Sequence, residues 1–178
     1  LLKVSYSRPH YPYFTTREKF EYYLNRVEPF LEEPVFDHPF LSQRQVKPGE
    51  QASAREIRRA TAAYYGMIEE IDDDYGSIVD HLRFVGQDPD NWIIVYCSDH
   101  GEMLGEHGIW EKQKFFEASA RVPLIIRWPE RFKPRVVDEN VNLCDLFATL
   151  SDLGGMPLPE PGQTVNGAGL DSRSLVSL

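Results

Sequence analysis

An aspartate, two histidines and a lysine stand where their side chains could do chemistry on an anion. Asp99 and His100 follow the apolar run 92-WIIVYCS-98 and precede Gly101. A carboxylate is a hard anionic donor and a neutral imidazole a borderline one, so the two types together suit a divalent cation. Neighbouring residues leave a strand in different directions unless the backbone bends, and Gly101 permits that bend. Lys112, further along the same loop, carries a point charge suited to sulfate or phosphate oxygens. His10 lies in 8-RPHYP-12, after another apolar stretch, in a loop that two prolines stiffen. Each residue also has a plainer reading. Asp99 then caps the turn after the strand, and His10, His100 and Lys112 are solvent-facing loop residues. The acidic run Asp72-Asp73-Asp74 reads as a mostly solvated helix face rather than a cation site.

These residues need elements to position them. Residues 1–7 read as a strand and 17–27 as a short amphipathic helix, with loop from 28 to 50, where prolines recur at 29, 34, 39 and 48. Ile57, Tyr64, Met67, Ile68, Ile71, Tyr75, Ile78, Val79 and Leu82 recur at steps of three and four, which predicts a helix over 52–84 ended by Gly86. The runs 92–98 and 122–128 are apolar on both faces, as in covered strands. Residues 141–153 are helix-like and close on Gly154-Gly155, and the Gly- and Pro-rich remainder reads as surface loop. Strand, long helix, strand, loop, strand, helix is an α/β order. The expected architecture is a mainly parallel central sheet flanked by helices. In such sheets ligands bind beyond the carboxyl ends of the strands, which is where Asp99 and His100 fall.

Composition bounds the possibilities. At 178 residues this is one domain or part of one, with ordinary apolar and charged fractions of 42% and 26%. A net charge of −9, spread along the chain, argues against a nucleic-acid partner. No apolar run approaches the roughly 18–20 residues of a membrane span, so no membrane partner is expected. The opening Leu1-Leu2-Lys3-Val4, without an initiator Met, reads as the inside of a longer protein and leaves the compartment open. Cys97 and Cys144 make no metal spacing, and their apolar contexts predict buried free thiols.

The block Asp99-His100-Gly101-Glu102-x-Leu104-Gly105-Glu106-His107-Gly108-x-Trp110-x-Lys112-x-x-Phe115-Phe116-Glu117-x-Ser119-Ala120-Arg121-Val122-Pro123-Leu124 resembles the sulfatase family of the alkaline phosphatase superfamily. The stretch Ser5 to Tyr13 looks like the family's strand and histidine loop. The helix with Tyr64-Tyr65 and Asp72-Asp73-Asp74-Tyr75-Gly76 looks like the one preceding the metal strand, and Asn142 to Leu150 like a later helix. The likeness covers roughly 1–155, and its finer features read most like choline-sulfatase-type members.

The resemblance implies a partial alkaline-phosphatase-like domain over 1–155, with 156–178 starting a C-terminal subdomain or loop. It implies hydrolysis of a small sulfate monoester. Asp99 and His100 are then ligands of a divalent cation, Ca2+ foremost, with Mg2+ or Mn2+ as alternatives. His10 and Lys112 contact the sulfate ester. Glu102, Glu106 and His107 shape the loop, with His107 a lesser candidate for substrate contact. The family's nucleophile, a formylglycine in a Cys/Ser-x-Pro-x-Arg motif, has no counterpart here, and its upstream aspartate ligands are missing too. The expected partner is the remaining N-terminal part of the enzyme. Two other readings stand: a phosphodiesterase or phosphonate monoester hydrolase of the same superfamily, and an inactive sulfatase-like module that binds anions. Oligomeric state is left open.

Overall fold

The structure is a computed structural model. It describes residues 1–158 and 171–178, and between them the backbone of 164–165 and 168–169. The chain divides into two compact units, Leu1–Phe132 and Lys133–Leu178.

In the first unit a short helix α1, Arg17–Leu24, packs along a long one, α2, Ala54–Phe84. The start of α2 is written locally. The Ser53 hydroxyl accepts from the Glu56 N–H, and the Glu56 carboxylate accepts from the Ser53 N–H, which satisfies two otherwise orphaned donors. Its end is written by Gly86, at φ 79°. There the Gly86 and Gln87 N–H groups turn back onto the carbonyls of Arg83 and Leu82.

The buried face of α2 comprises Ile57, Thr61, Ala62, Ala63, Gly66, Met67 and Ile71. Of the expected stripe, Ile57, Met67 and Ile71 are in the core, whereas Ile68 is 41% exposed. Among the small residues at 62, 63 and 66, Gly66 lets the Thr15 side chain approach closely. A Cβ on Gly66 would stand 2.6 Å from Thr15 Cγ2.

Two strands follow, β1 at Ile94–Cys97 and β2 at Leu124–Arg127. They pair antiparallel, with Ile94 opposite Arg127 and Cys97 opposite Leu124. The α/β class holds, but these strands do not lie parallel to each other. The physical reason is their connection. Parallel neighbours need a crossover, usually a helix, whereas residues 98–123 fold back as a loop. In that loop the Gly101 N–H bonds the Ser119 carbonyl at 2.8 Å, and α3 is a single turn, Glu117–Ala120. Residues 1–7 form no ladder, because no described strand lies beside them.

Burial is also less than expected. Both strands are half-buried, Ile125 is 59% exposed, and both cysteines are exposed rather than buried. Among the described residues each strand has one ladder neighbour, which leaves its other edge unpaired.

In the second unit α4 runs Asp145–Leu153, four residues later than the apolar pattern suggested. The delay is a turn held by side chains ahead of the helix. The Asp145 carboxylate takes the Asn142 N–H at 3.0 Å, and the Asn142 side chain takes the Cys144 N–H at 3.0 Å. Two short strands, β3 at Thr164–Val165 and β4 at Ala168–Gly169, pair antiparallel. Much of the expected terminal loop, residues 159–163, 166–167 and 170, lies outside the described residues.

Candidate active site

His10 sits on the loop between Ser7 and Thr15, where its N–H closes a turn on the Ser7 carbonyl at 3.1 Å. Its Nδ1 lies 2.9 Å from the Tyr11 carbonyl oxygen. A carbonyl only accepts, so Nδ1 holds the ring proton and Nε2 is left as an acceptor. Lys112 Nζ lies 2.6 Å from that Nε2 and donates to it. Residues 102 positions apart in sequence are thereby joined. An ammonium has three donors, so two remain on Lys112 for anion oxygens.

Asp99 and His100 leave β1 toward one another. Asp99 Oδ1 accepts from the His100 N–H at 3.0 Å, and Asp99 Oδ2 stands 3.6 Å from His100 Nε2. The other ring nitrogen, Nδ1, donates to the Gly101 carbonyl at 2.8 Å. In the neutral ring Nε2 is then the acceptor, and it faces a carboxylate oxygen. Two acceptors arranged this way suit a cation. A histidine whose far N–H is held by a backbone carbonyl is the usual posture of a metal ligand. The donor set fits Ca2+, Mg2+ or Mn2+. Among the described residues no group of three or more His, Cys, Asp or Glu converges, so this pair offers two ligands.

The loop between the two pairs is closed by Glu102. Its Oε1 accepts from the Glu111 N–H at 2.5 Å and the Leu104 N–H at 3.4 Å, while the Met103 N–H bonds the Glu111 carbonyl at 2.9 Å. The residue before Lys112 thus returns to the residues just after Gly101. Glu102 also faces the phenol of Tyr13, on the His10 loop. Burial, then the Glu102 charge and hydrogen bond, push that phenol well above its ordinary range. The neighbouring Tyr64 is pushed up to about 12, by burial first and by Glu102 next. Both phenols are therefore neutral donors.

Met103, Leu104 and Ile109 give this loop its own core. Leu104, Gly105, His107, Gly108, Glu111 and Gln113 hold left-handed backbone within it. At Gly108 a Cβ would fall 2.6 Å from Pro34 N, so only glycine fits.

His107 is engaged elsewhere. Its backbone N–H donates to Glu32 at 2.8 Å, its Nδ1 lies 3.3 Å from the same carboxylate, and its ring packs 4.6 Å from Phe116. Lys114 is buried, with Nζ donating to the Phe40 carbonyl and lying 4.2 Å from the Phe40 ring centre. These contacts belong to the loop's scaffold.

The acidic run Asp72-Asp73-Asp74 is mostly solvated, as expected, and part of this face of α2 is ion-paired. Lys19 spans Glu69 and Asp73 at 2.8 and 2.6 Å, and Arg8 spans Glu70 and Asp74 at 2.5 and 2.8 Å. Asp72 and Asp73 are both exposed. Sequence reasoning missed Tyr13 and Glu70 as supports of the His10 loop. The only local signal for Glu70 was its four-residue spacing from Asp74, which puts two carboxylates on one helix face.

Comparison with known proteins bears on this geometry. The chain is 34% identical over 176 residues to a choline-sulfatase of Rhizobium meliloti (strain 1021), a match over 95% of this chain and 34% of that protein. It is 32% identical over 170 residues to an arylsulfatase of Clostridium perfringens (strain 13 / Type A), covering 89% of this chain and 34% of that one. It spans about a third of the length of these curated relatives. Among solved structures it superposes on a phosphonate monoester hydrolase of Agrobacterium radiobacter with a TM-score of 0.75 and 30% identity, covering 95% of this chain and 36% of that one. A phosphonate monoester hydrolase from Silicibacter pomeroyi matches at a TM-score of 0.68 and 29% identity, over 85% and 31%. The family model described as Sulfatase matches residues 1–156, and the chain belongs to the sulfatase family.

Proposed function

We propose that this chain supplies part of the active site of a metal-dependent hydrolase of small sulfate monoesters. The observation that carries the reading is the 2.6 Å contact between Lys112 Nζ and His10 Nε2. It gathers two proton-bearing groups at one point of the unit that also holds Asp99 and His100. Asp99 Oδ2 and His100 Nε2 would hold the divalent cation, with further ligands from outside this chain. Once bound, the cation screens the sulfate charge and activates the nucleophile.

Lys112 then turns its free N–H bonds to the sulfuryl oxygens. As the S–O bond breaks, negative charge grows on the ester oxygen. His10 and Lys112 stand together at that oxygen, and a Lys112 N–H donates to it as the charge grows. Tyr13, on the His10 loop, faces Glu102, on the Lys112 loop, while this happens. The nucleophile, a formylglycine in the family, would come from the remaining N-terminal part of the enzyme, the partner this chain requires.

On this reading residues 1–155 are the later portion of the catalytic domain and 156–178 begin a C-terminal subdomain or loop. The β1–β2 pair joins a larger, mainly parallel sheet. The likeness to phosphonate monoester hydrolases favours one alternative, in which the same groups serve a phosphonate monoester. Steady-state turnover of 4-nitrophenyl sulfate against 4-nitrophenyl phenylphosphonate by the full-length enzyme separates the two. Sulfate should have the higher kcat/KM. Preference for phosphonate overturns the sulfatase reading, and loss of neither activity in a Lys112→Ala variant overturns the site. No turnover of either ester by a full-length protein that binds sulfate would leave the anion-binding module.

A further inference from the structure

We propose that Glu70, on α2, is a positioning residue that sets His10 against Lys112 by holding both feet of the His10 loop on one carboxylate. The inference rests on the reading of His10 as a contact of the sulfate ester. The division of labour on the carboxylate is clear. Oε2 accepts from Arg8 at 2.5 Å, two residues before His10. Oε1 accepts from the Thr15 hydroxyl at 2.6 Å and the Thr16 N–H at 3.0 Å, beyond it. The loop between is short and leaves α2 to reach Lys112, so the place of the imidazole depends on where its feet stand.

The neighbouring turns of α2 complete the seat. Asp74 takes the other Arg8 nitrogen at 2.8 Å, and at Gly66 the missing Cβ makes room for Thr15. The Glu70 side chain is only 15% exposed. Burial works to raise its carboxyl, but the hydrogen bonds from Thr15, Thr16 and Arg8 outweigh it and hold the group below its ordinary range. It is thus a charged acceptor under the conditions where the loop must be in place. Glu70 has no contact with His10 itself, so its effect is transmitted through the loop.

The test is a double-mutant cycle in the intact enzyme, following 4-nitrophenyl sulfate at matched folded fraction. Glu70→Ala should lower kcat about ten- to one-hundred-fold, the scale of a small misplacement of a reacting group. His10→Ala should lower it at least as far, and His10→Ala/Glu70→Ala no further than His10→Ala alone. Glu70→Gln, which keeps an amide oxygen for Thr15 and Thr16, should recover most of the loss. Where Glu70→Ala does not fold, Thr15→Val, which removes the hydroxyl bond to Glu70, carries the same cycle. Additive losses overturn the inference, as does full activity of Glu70→Ala beside an impaired His10→Ala. Full activity of His10→Ala overturns the reading of His10 and this inference with it.

Discussion

Asp99 Oδ2 and His100 Nε2 stand 3.6 Å apart as two acceptors, an arrangement that a shared cation relieves. Asp99→Ala leaves one ligand of that pair. In the intact enzyme it should sharply reduce both metal content, read by elemental analysis, and turnover of an aryl sulfate. Near-normal values for both would remove Asp99 from the site. Lys112 makes a different kind of contribution. It lies partly exposed and packs into no core, so Lys112→Ala should leave the melting temperature nearly unchanged. Turnover should nonetheless fall about a hundredfold or more, the usual cost of losing one preorganised donor to a developing anion. A large drop in melting temperature instead would make Lys112 a scaffold residue, as Lys114 is.

The elements position these residues by means that differ in how far they can be read from sequence. The loop 98–123 depends on Gly101, where a Cβ would stand 2.0 Å from the Ala118 carbonyl oxygen. Gly101→Ala should cost about 1–3 kcal/mol in urea unfolding, since backbone must move to admit it. It should also weaken metal binding at the adjacent pair. That glycine matters there was legible from its place after Asp99-His100, but the reason is the close approach of Ala118, not the expected bend, since Gly101 holds no left-handed backbone. Helix α2 was legible too, because Ser53, Glu56, the apolar period and Gly86 all act within a few residues of themselves. The antiparallel β1–β2 pairing was not legible. An apolar run states that a strand can be covered but not by what, and the direction is decided by a return loop whose bonds, such as Gly101 to Ser119, span many residues. Glu70 was hidden for the same reason. Its partners Arg8, Thr15 and Thr16 lie more than fifty positions away.

At the scale of the whole chain, the two units share a sensitivity to acid. In the second unit Asp145 holds the Arg173 and Asn142 N–H groups, each at 3.0 Å, and these bonds keep its carboxyl below the ordinary range. In the first unit Glu70 is lowered likewise. A carboxyl depressed on folding stabilises the fold above its unfolded pKa, about 4, and that contribution is lost as pH falls toward the folded value. Amide exchange across α4 should therefore accelerate as pH drops below about 4, beyond the intrinsic trend. Asp145→Asn should flatten that response while making exchange faster at neutral pH. An unchanged acid response in the variant would exclude Asp145 as its source.

His10 and His100 share one local device, an Nδ1–H given to the carbonyl of the very next residue, Tyr11 or Gly101. Each ring thus takes its proton placement from its own dipeptide. Neither imidazole must wait for a distant neighbour to choose which nitrogen it presents, so the proton placement in both rings is settled as soon as the local loop forms.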